Sequence, residues 1–160
     1  MLSRQMMTLW CLLAIATIPT ASAQEGDAAI AEARALIQLE RSDIIREEIY
    51  FTASEAAAFW PVYEAYVADG QAARDRYAGL VATFVAAYND AAVTPELASR
   101  MVDEHLAFKQ ELLAVKQRYV PKFRAVLPPL KAARFYQLDN KIDVEIEAEL
   151  ALYIPLVDPV

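Results

Sequence analysis

The 160-residue chain contains one histidine, His105. On a helix its neighbours at three and four positions are Met101, Val102, Phe108 and Lys109, so no carboxylate or second imidazole stands where a zinc site would need it. Met101 and His105 could offer a soft sulfur and a nitrogen to a copper ion, but the remaining ligands would have to come from elsewhere. A core or interface histidine is the expected role. Ser42, Ser54 and Ser99 lie in no nucleophile-elbow sequence that could pair with it. Gly26, Gly70 and Gly79 stand alone, which leaves no phosphate-cradling loop. Carboxylate pairs such as Glu145 with Glu149 are abundant, but on an exposed helix face they solvate and have no cleft in which one could be raised to a general acid. The chain therefore presents no catalytic residues, no metal ligand set and no cofactor motif, and it is not expected to be an enzyme.

Its aromatic residues carry more information. Phe59, Trp60, Tyr63, Tyr66, Tyr77, Phe84 and Tyr88 fall within one segment, and most are spaced by threes and fours along a single helical stripe. The simplest role for that stripe is to pack a helical hairpin and a dimer core. Trp60 lies about 100° around the helix from Phe59, off the stripe and beside Pro61. Phe59, Trp60 and Tyr63 are thus the candidate contact patch for a polypeptide partner.

The elements that position these residues begin after an export leader. Arg4 precedes an apolar run from Met6 to Ile18, Pro19 ends it, and Ala21-Ser22-Ala23 supplies a small-x-small cleavage site. The run is too short to cross a bilayer, at about 20 Å against a hydrocarbon core of roughly 30 Å. Cleavage after Ala23 is expected to leave a single all-α domain, residues 24–160, in the periplasm. It removes Cys11, the only cysteine, and so leaves no thiol or disulfide chemistry.

Residues 24–29 read as a frayed lead-in, and a first helix is expected from about Ile30 to Tyr50. Thr52-Ala53-Ser54-Glu55 is a capping-box sequence that should open a second helix, running to about Tyr88 through Pro61. Thr94-Pro95 marks an N-cap and first helical position for a third, running to about Leu127 with His105 on its stripe. Pro128-Pro129 breaks the chain, and a fourth helix is expected from about Leu130 to Leu152, with Leu130, Ala133, Leu138, Ile142, Ile146 and Leu150 facing inward. The strand-like alternation from Asp143 to Leu150 falls inside that stripe and is read as helix.

The fold class is therefore all-α: a long antiparallel helical hairpin with two flanking helices, four in the mature chain. Hydrophobic residues make up 57% of the chain, which argues against disorder. The formal net charge of -7 offers no overall basic character with which to hold nucleic acid, so none is expected as a partner. The second and third helices would each be about 50 Å long, whereas a compact globule of this size would be about 37 Å across. Two such helices cannot both bury their stripes in one subunit, so a homodimer is expected.

At the capping box the sequence resembles the small exported helical proteins with LTXXQ motifs that include Spy and CpxP. Phe51-Thr52-Ala53-Ser54-Glu55 leads into Phe59-Trp60, and Leu127-Pro128-Pro129-Leu130-Lys131 leads into Phe135-Tyr136 with the same spacing. The first copy keeps the threonine and carries Glu55 at the glutamine position. The second carries Pro128 and Lys131 at these two positions. The resemblance implies a hairpin-based dimer that acts as an ATP-independent chaperone or an envelope-stress adaptor, holding unfolded or membrane-derived polypeptides or contacting an envelope-stress sensor protein. Thr52 and Glu55 would be motif and helix cap at once. A metal-responsive periplasmic sensor or adaptor, and a purely structural helical envelope protein, are the alternatives.

Overall fold

The computed structural model describes residues 23–157, and side-chain surroundings from residue 35 onward. The leader and its cleavage signal lie almost wholly outside the described residues. Four α-helices and no strand occur among them: α1 (Ala23–Ile49), α2 (Ala53–Asn89), α3 (Pro95–Val126) and α4 (Pro129–Tyr153). The chain divides into two compact units, the first ending at Glu48 and the second spanning Ile49–Val160.

In the first unit, α1 starts at Ala23 rather than near Ile30. The segment expected to fray is helical because Ala, Gln and Glu are good helix formers and outweigh Gly26 and Asp27. Arg41 and Ile45 are buried on α1, and Ile49, its last residue and the first of the second unit, is buried as well.

The second unit is built on caps that were legible in the sequence. Thr52 Oγ1 accepts from the Glu55 backbone N–H at 3.2 Å while Glu55 Oε2 accepts from the Thr52 N–H at 2.8 Å, closing the capping box. Thr94 Oγ1 accepts from the Leu97 N–H at 3.2 Å, with Pro95 at the first helical position. Helix α2 passes through Pro61 and α3 through Pro121 without ending. Helix α2 terminates in a paired-bond turn: the Ala92 N–H donates to the Ala87 carbonyl and the Ala91 N–H to Tyr88, with Ala91 in the left-handed region at φ 51°. That position favours glycine, so alanine holds it at a cost.

Helices α2 and α3 pair antiparallel, and α4 folds back along α3 and beside the first half of α2. The order of contacts gives the directions: Arg76 meets Glu111 and Tyr66 nears Tyr119, while Phe59 meets Phe135 and Tyr66 meets Asp139. Of the expected α2 stripe, Phe59, Tyr63, Tyr66 and Phe84 are buried and Tyr77 and Tyr88 are half-buried, and Ala73 and Leu80 are buried with them. On α3 only Val115, Tyr119 and Phe123 are buried, all in its second half, where Phe135, Asp139 and Asp143 of α4 meet it.

The α4 stripe is shifted from the expected one. Ala132, Phe135, Leu138, Asp139 and Ile142 are its buried residues, whereas Leu130 is 85% exposed and Ala133 faces outward. The Pro128-Pro129 break resets the helical phase, so reading the stripe from Leu130 put its first turn on the wrong face. Leu138 and Ile142 belong to both readings.

Candidate functional site

The two motif copies meet. Lys131 Nζ, which stands in the second of the two matched segments where Glu55 stands in the first, donates to Glu55 Oε2 at 2.5 Å and to the Tyr50 carbonyl at 2.8 Å. Glu55 is thus shared between its own helix cap and a cation from α4. The hydrogen bond from Lys131, and then that from the Thr52 backbone, hold its carboxyl below the usual range. The second contact fixes Tyr50, whose φ of 53° is strained for a side-chain-bearing residue. The equivalent phenylalanines also touch, with the rings of Phe59 and Phe135 at 5.2 Å. Residues at the same place in the two copies therefore face each other across α2 and α4, which the constant spacing between the copies could have signalled.

Between the copies lies an aromatic core. Phe123 is central to it, with ring centroids 4.4 Å from Phe135, 5.4 Å from Phe59, 5.7 Å from Tyr66 and 5.8 Å from Tyr136. Of the candidate patch, Phe59 is 0% and Tyr63 is 3% exposed. Both rings are taken up by this core and offer no surface. Trp60 is only half-buried and stands edge-on to Phe51 at 5.9 Å. Tyr50 (76% exposed) and Leu130 flank the Lys131 contact. The apolar surface at this end of the unit is thus formed by Tyr50, Phe51, Trp60 and Leu130.

A buried ionic cluster lies one turn deeper. Asp139 has no exposed surface; its Oδ2 accepts from the Tyr66 hydroxyl at 2.9 Å and lies 3.0 Å from Lys116 Nζ. Lys116 also donates to Asp143 at 2.6 Å. Burial alone would push the ammonium down, but the attraction of Asp139 and Asp143 outweighs it and holds Lys116 above its ordinary value. Burial, followed by the Asp139 charge, pushes the nearby Tyr136 phenol up to about 12. A sequence reading misses this cluster because Asp139 resembles any solvated helix carboxylate and Tyr66 lies far away along the chain.

His105 sits part-buried with Nδ1 2.8 Å from the Tyr77 hydroxyl, and Tyr77 stacks on Phe108 with ring centroids at 4.6 Å. Among the described residues, no group of three His, Cys, Asp or Glu side chains is placed to hold a metal ion.

Charge is segregated to a degree that the net value hides. From residue 112 to 138 the sequence carries Lys116, Arg118, Lys122, Arg124, Lys131 and Arg134 without a single Asp or Glu. The end of α3 and the start of α4 are therefore basic in an acidic chain. They enclose an open groove lined by Val120, Arg124, Pro129, Ala132, Ala133 and Tyr136. In comparison with known proteins, the chain matches no family model, no curated protein and no solved structure.

Proposed function

We propose that the protein is an exported, non-enzymatic helical binding protein of the periplasm, which holds unfolded or membrane-derived polypeptides without ATP in the manner of Spy and CpxP. The observation that carries this reading is the exposed apolar end around the paired motif copies. Tyr50, Leu130 and the half-buried Trp60 with Phe51 are presented on a frame braced by the aromatic core and by the Lys131 contacts. Aromatic and aliphatic side chains on a rigid support bind apolar segments with little ordering cost, and the adjoining basic run favours segments that carry acidic residues. The same surface would serve an adaptor that contacts an envelope-stress sensor.

Trp60 supplies the test. Once the leader with Trp10 is removed it is the only tryptophan, so its emission reports this end alone. A tryptophan-free unfolded client should shift the emission to the blue as water leaves the indole. Trp60→Ala and Leu130→Ser should each lose protection in an aggregation assay, and Leu130→Ser, at an exposed position, should do so with the melting curve unchanged to within about 0.5 kcal/mol. Unchanged emission and unchanged protection would remove the client-holding reading.

A further inference from the structure

The open groove between the end of α3 and the start of α4 combines a small apolar bed with one uncommitted cation. Buried Ala132 and half-buried Tyr136 lie deepest in it, and Val120, Pro129 and exposed Ala133 complete its apolar lining. Alanine at 132 and 133 keeps the hollow open, since a longer side chain at 133 would occupy it. At about 580 Å³ it falls within the range of sites that hold small ligands, roughly 300 to 1,000 Å³.

Arg124 stands exposed in the groove wall, and among the described residues it pairs with no carboxylate. Neighbouring cations differ: Lys116 is taken by Asp139 and Asp143, Lys131 by Glu55, and Arg118 lies 3.7 Å from Asp69. The Arg124 charge acts on the Tyr136 phenol. That hydroxyl donates to the Lys116 carbonyl at a long 3.4 Å, so it has hydrogen-bonding capacity to spare. Helix α4 opens at Pro129 in the groove wall without a side-chain cap, which adds the positive end of its dipole. Asp139, the acid that acts on Tyr136, is wholly buried and held by Lys116 and Tyr66. The groove is therefore suited to an anionic head beside Arg124 and to hydrocarbon against its remaining lining.

We propose that this groove binds a single-chain anionic amphiphile of the fatty-acid type, with its carboxylate held by Arg124 and the Tyr136 hydroxyl and its chain laid over Val120, Pro129, Ala132 and Ala133. An extended peptide fits less well. The walls are helices whose backbone groups are bonded internally, so a peptide's own N–H and C=O groups would find few partners there, whereas a hydrocarbon chain needs none. The site is separate from the apolar end around Trp60, which packs against Phe51, Phe59 and Tyr63, none of them a groove residue. It stands or falls independently of client holding.

Titration calorimetry of the full chain with decanoate, kept below its micelle concentration, should show saturable one-to-one binding. Decyltrimethylammonium, which lacks the anion, and acetate, which lacks the chain, should show none, and the Trp60 emission should stay unchanged with decanoate. Arg124→Gln should weaken decanoate binding about tenfold, as loss of a charge-assisted hydrogen bond does, and Arg124→Lys should retain most of it. Ala133→Leu, at an exposed helical position, should abolish binding with the melting curve unchanged, because it fills the hollow and leaves the charge in place. An acidic peptide should not displace decanoate, and vesicles of anionic phospholipid should leave the protein in the supernatant on sedimentation. Silence toward decanoate, equal binding of the cationic amphiphile, binding that survives Ala133→Leu, displacement by the peptide, or sedimentation with the vesicles would overturn the proposal, the last two in favour of a polypeptide or a bilayer as the occupant.

Discussion

The cluster of Lys116, Asp139, Asp143 and Tyr66 makes a directional prediction. Asp139 is wholly enclosed, so removing its cation by Lys116→Met leaves a carboxylate in the core with the Tyr66 hydroxyl as a neutral donor. Breaking a buried ion pair from one side costs about 3 to 5 kcal/mol. The reverse change is milder. In Asp139→Leu, Lys116 keeps Asp143 at 2.6 Å and its side chain keeps 22% of its exposure, so the cation stays neutralised and partly hydrated. What is lost is the Tyr66 hydrogen bond, and the stranded hydroxyl costs about 1 to 3 kcal/mol. Urea unfolding at pH 7 followed by circular dichroism should rank Lys116→Met as the more damaging single change. Lys116→Met/Asp139→Leu should recover most of the loss, because no unpaired core charge remains. The argument is refuted if Asp139→Leu costs more than Lys116→Met, or if the double variant is less stable than both singles.

Thr52→Ala removes the acceptor for the Glu55 N–H and should lower stability by about 1 kcal/mol in the same assay. Two exchanges should act in opposite chemical senses yet both stabilise. Nothing lies within 4 Å of the Cβ that Gly79→Ala would add to α2, so it should gain about 1 kcal/mol of helix propensity; Ala91→Gly relieves the left-handed position at the α2 terminus and should gain up to about 1 kcal/mol, both read as raised melting temperatures. With pH, Glu55 is depressed by Lys131 and Thr52, so its contribution is present above the ordinary carboxylate value and lost as pH falls through its folded value. Lys116 is raised by Asp139 and Asp143 against its burial, so its contribution is present below the ordinary lysine value and lost as pH rises through its folded value. The melting temperature should therefore fall at both extremes, and Lys131→Met should flatten the acid limb alone.

Signals confined to a few neighbouring residues were legible in the sequence. Thr52-Glu55 and Thr94-Pro95 open helices as their local chemistry requires, and Phe59, Tyr63, Tyr66 and Phe84 of the α2 stripe are buried where their period puts them. Information that depended on an unseen neighbour was not. Leu130 looks like a core residue until the proline pair turns the first turn of α4 and leaves it outside. Tyr63 and Phe59 look like companions of Trp60 until Phe135, contributed by α4, closes over them. Glu55 reads as a cap, and only the return of Lys131 makes it a tertiary contact as well.

That α3 is buried only in its second half also bears on how the unit opens. Toward the α2–α3 turn, Leu80 and Phe84 are buried from the α2 side, but no α3 residue before Val115 is. Amide protons there are guarded by two helices and little buried area, whereas those around Phe123 are guarded by three helices and the aromatic core. Exchange in deuterated buffer should therefore sort the backbone into two cooperative blocks, with residues nearest the turn exchanging by a low-energy local opening and residues around Phe123 only through global unfolding. The arm could loosen and close again while the end that carries Trp60 stays folded.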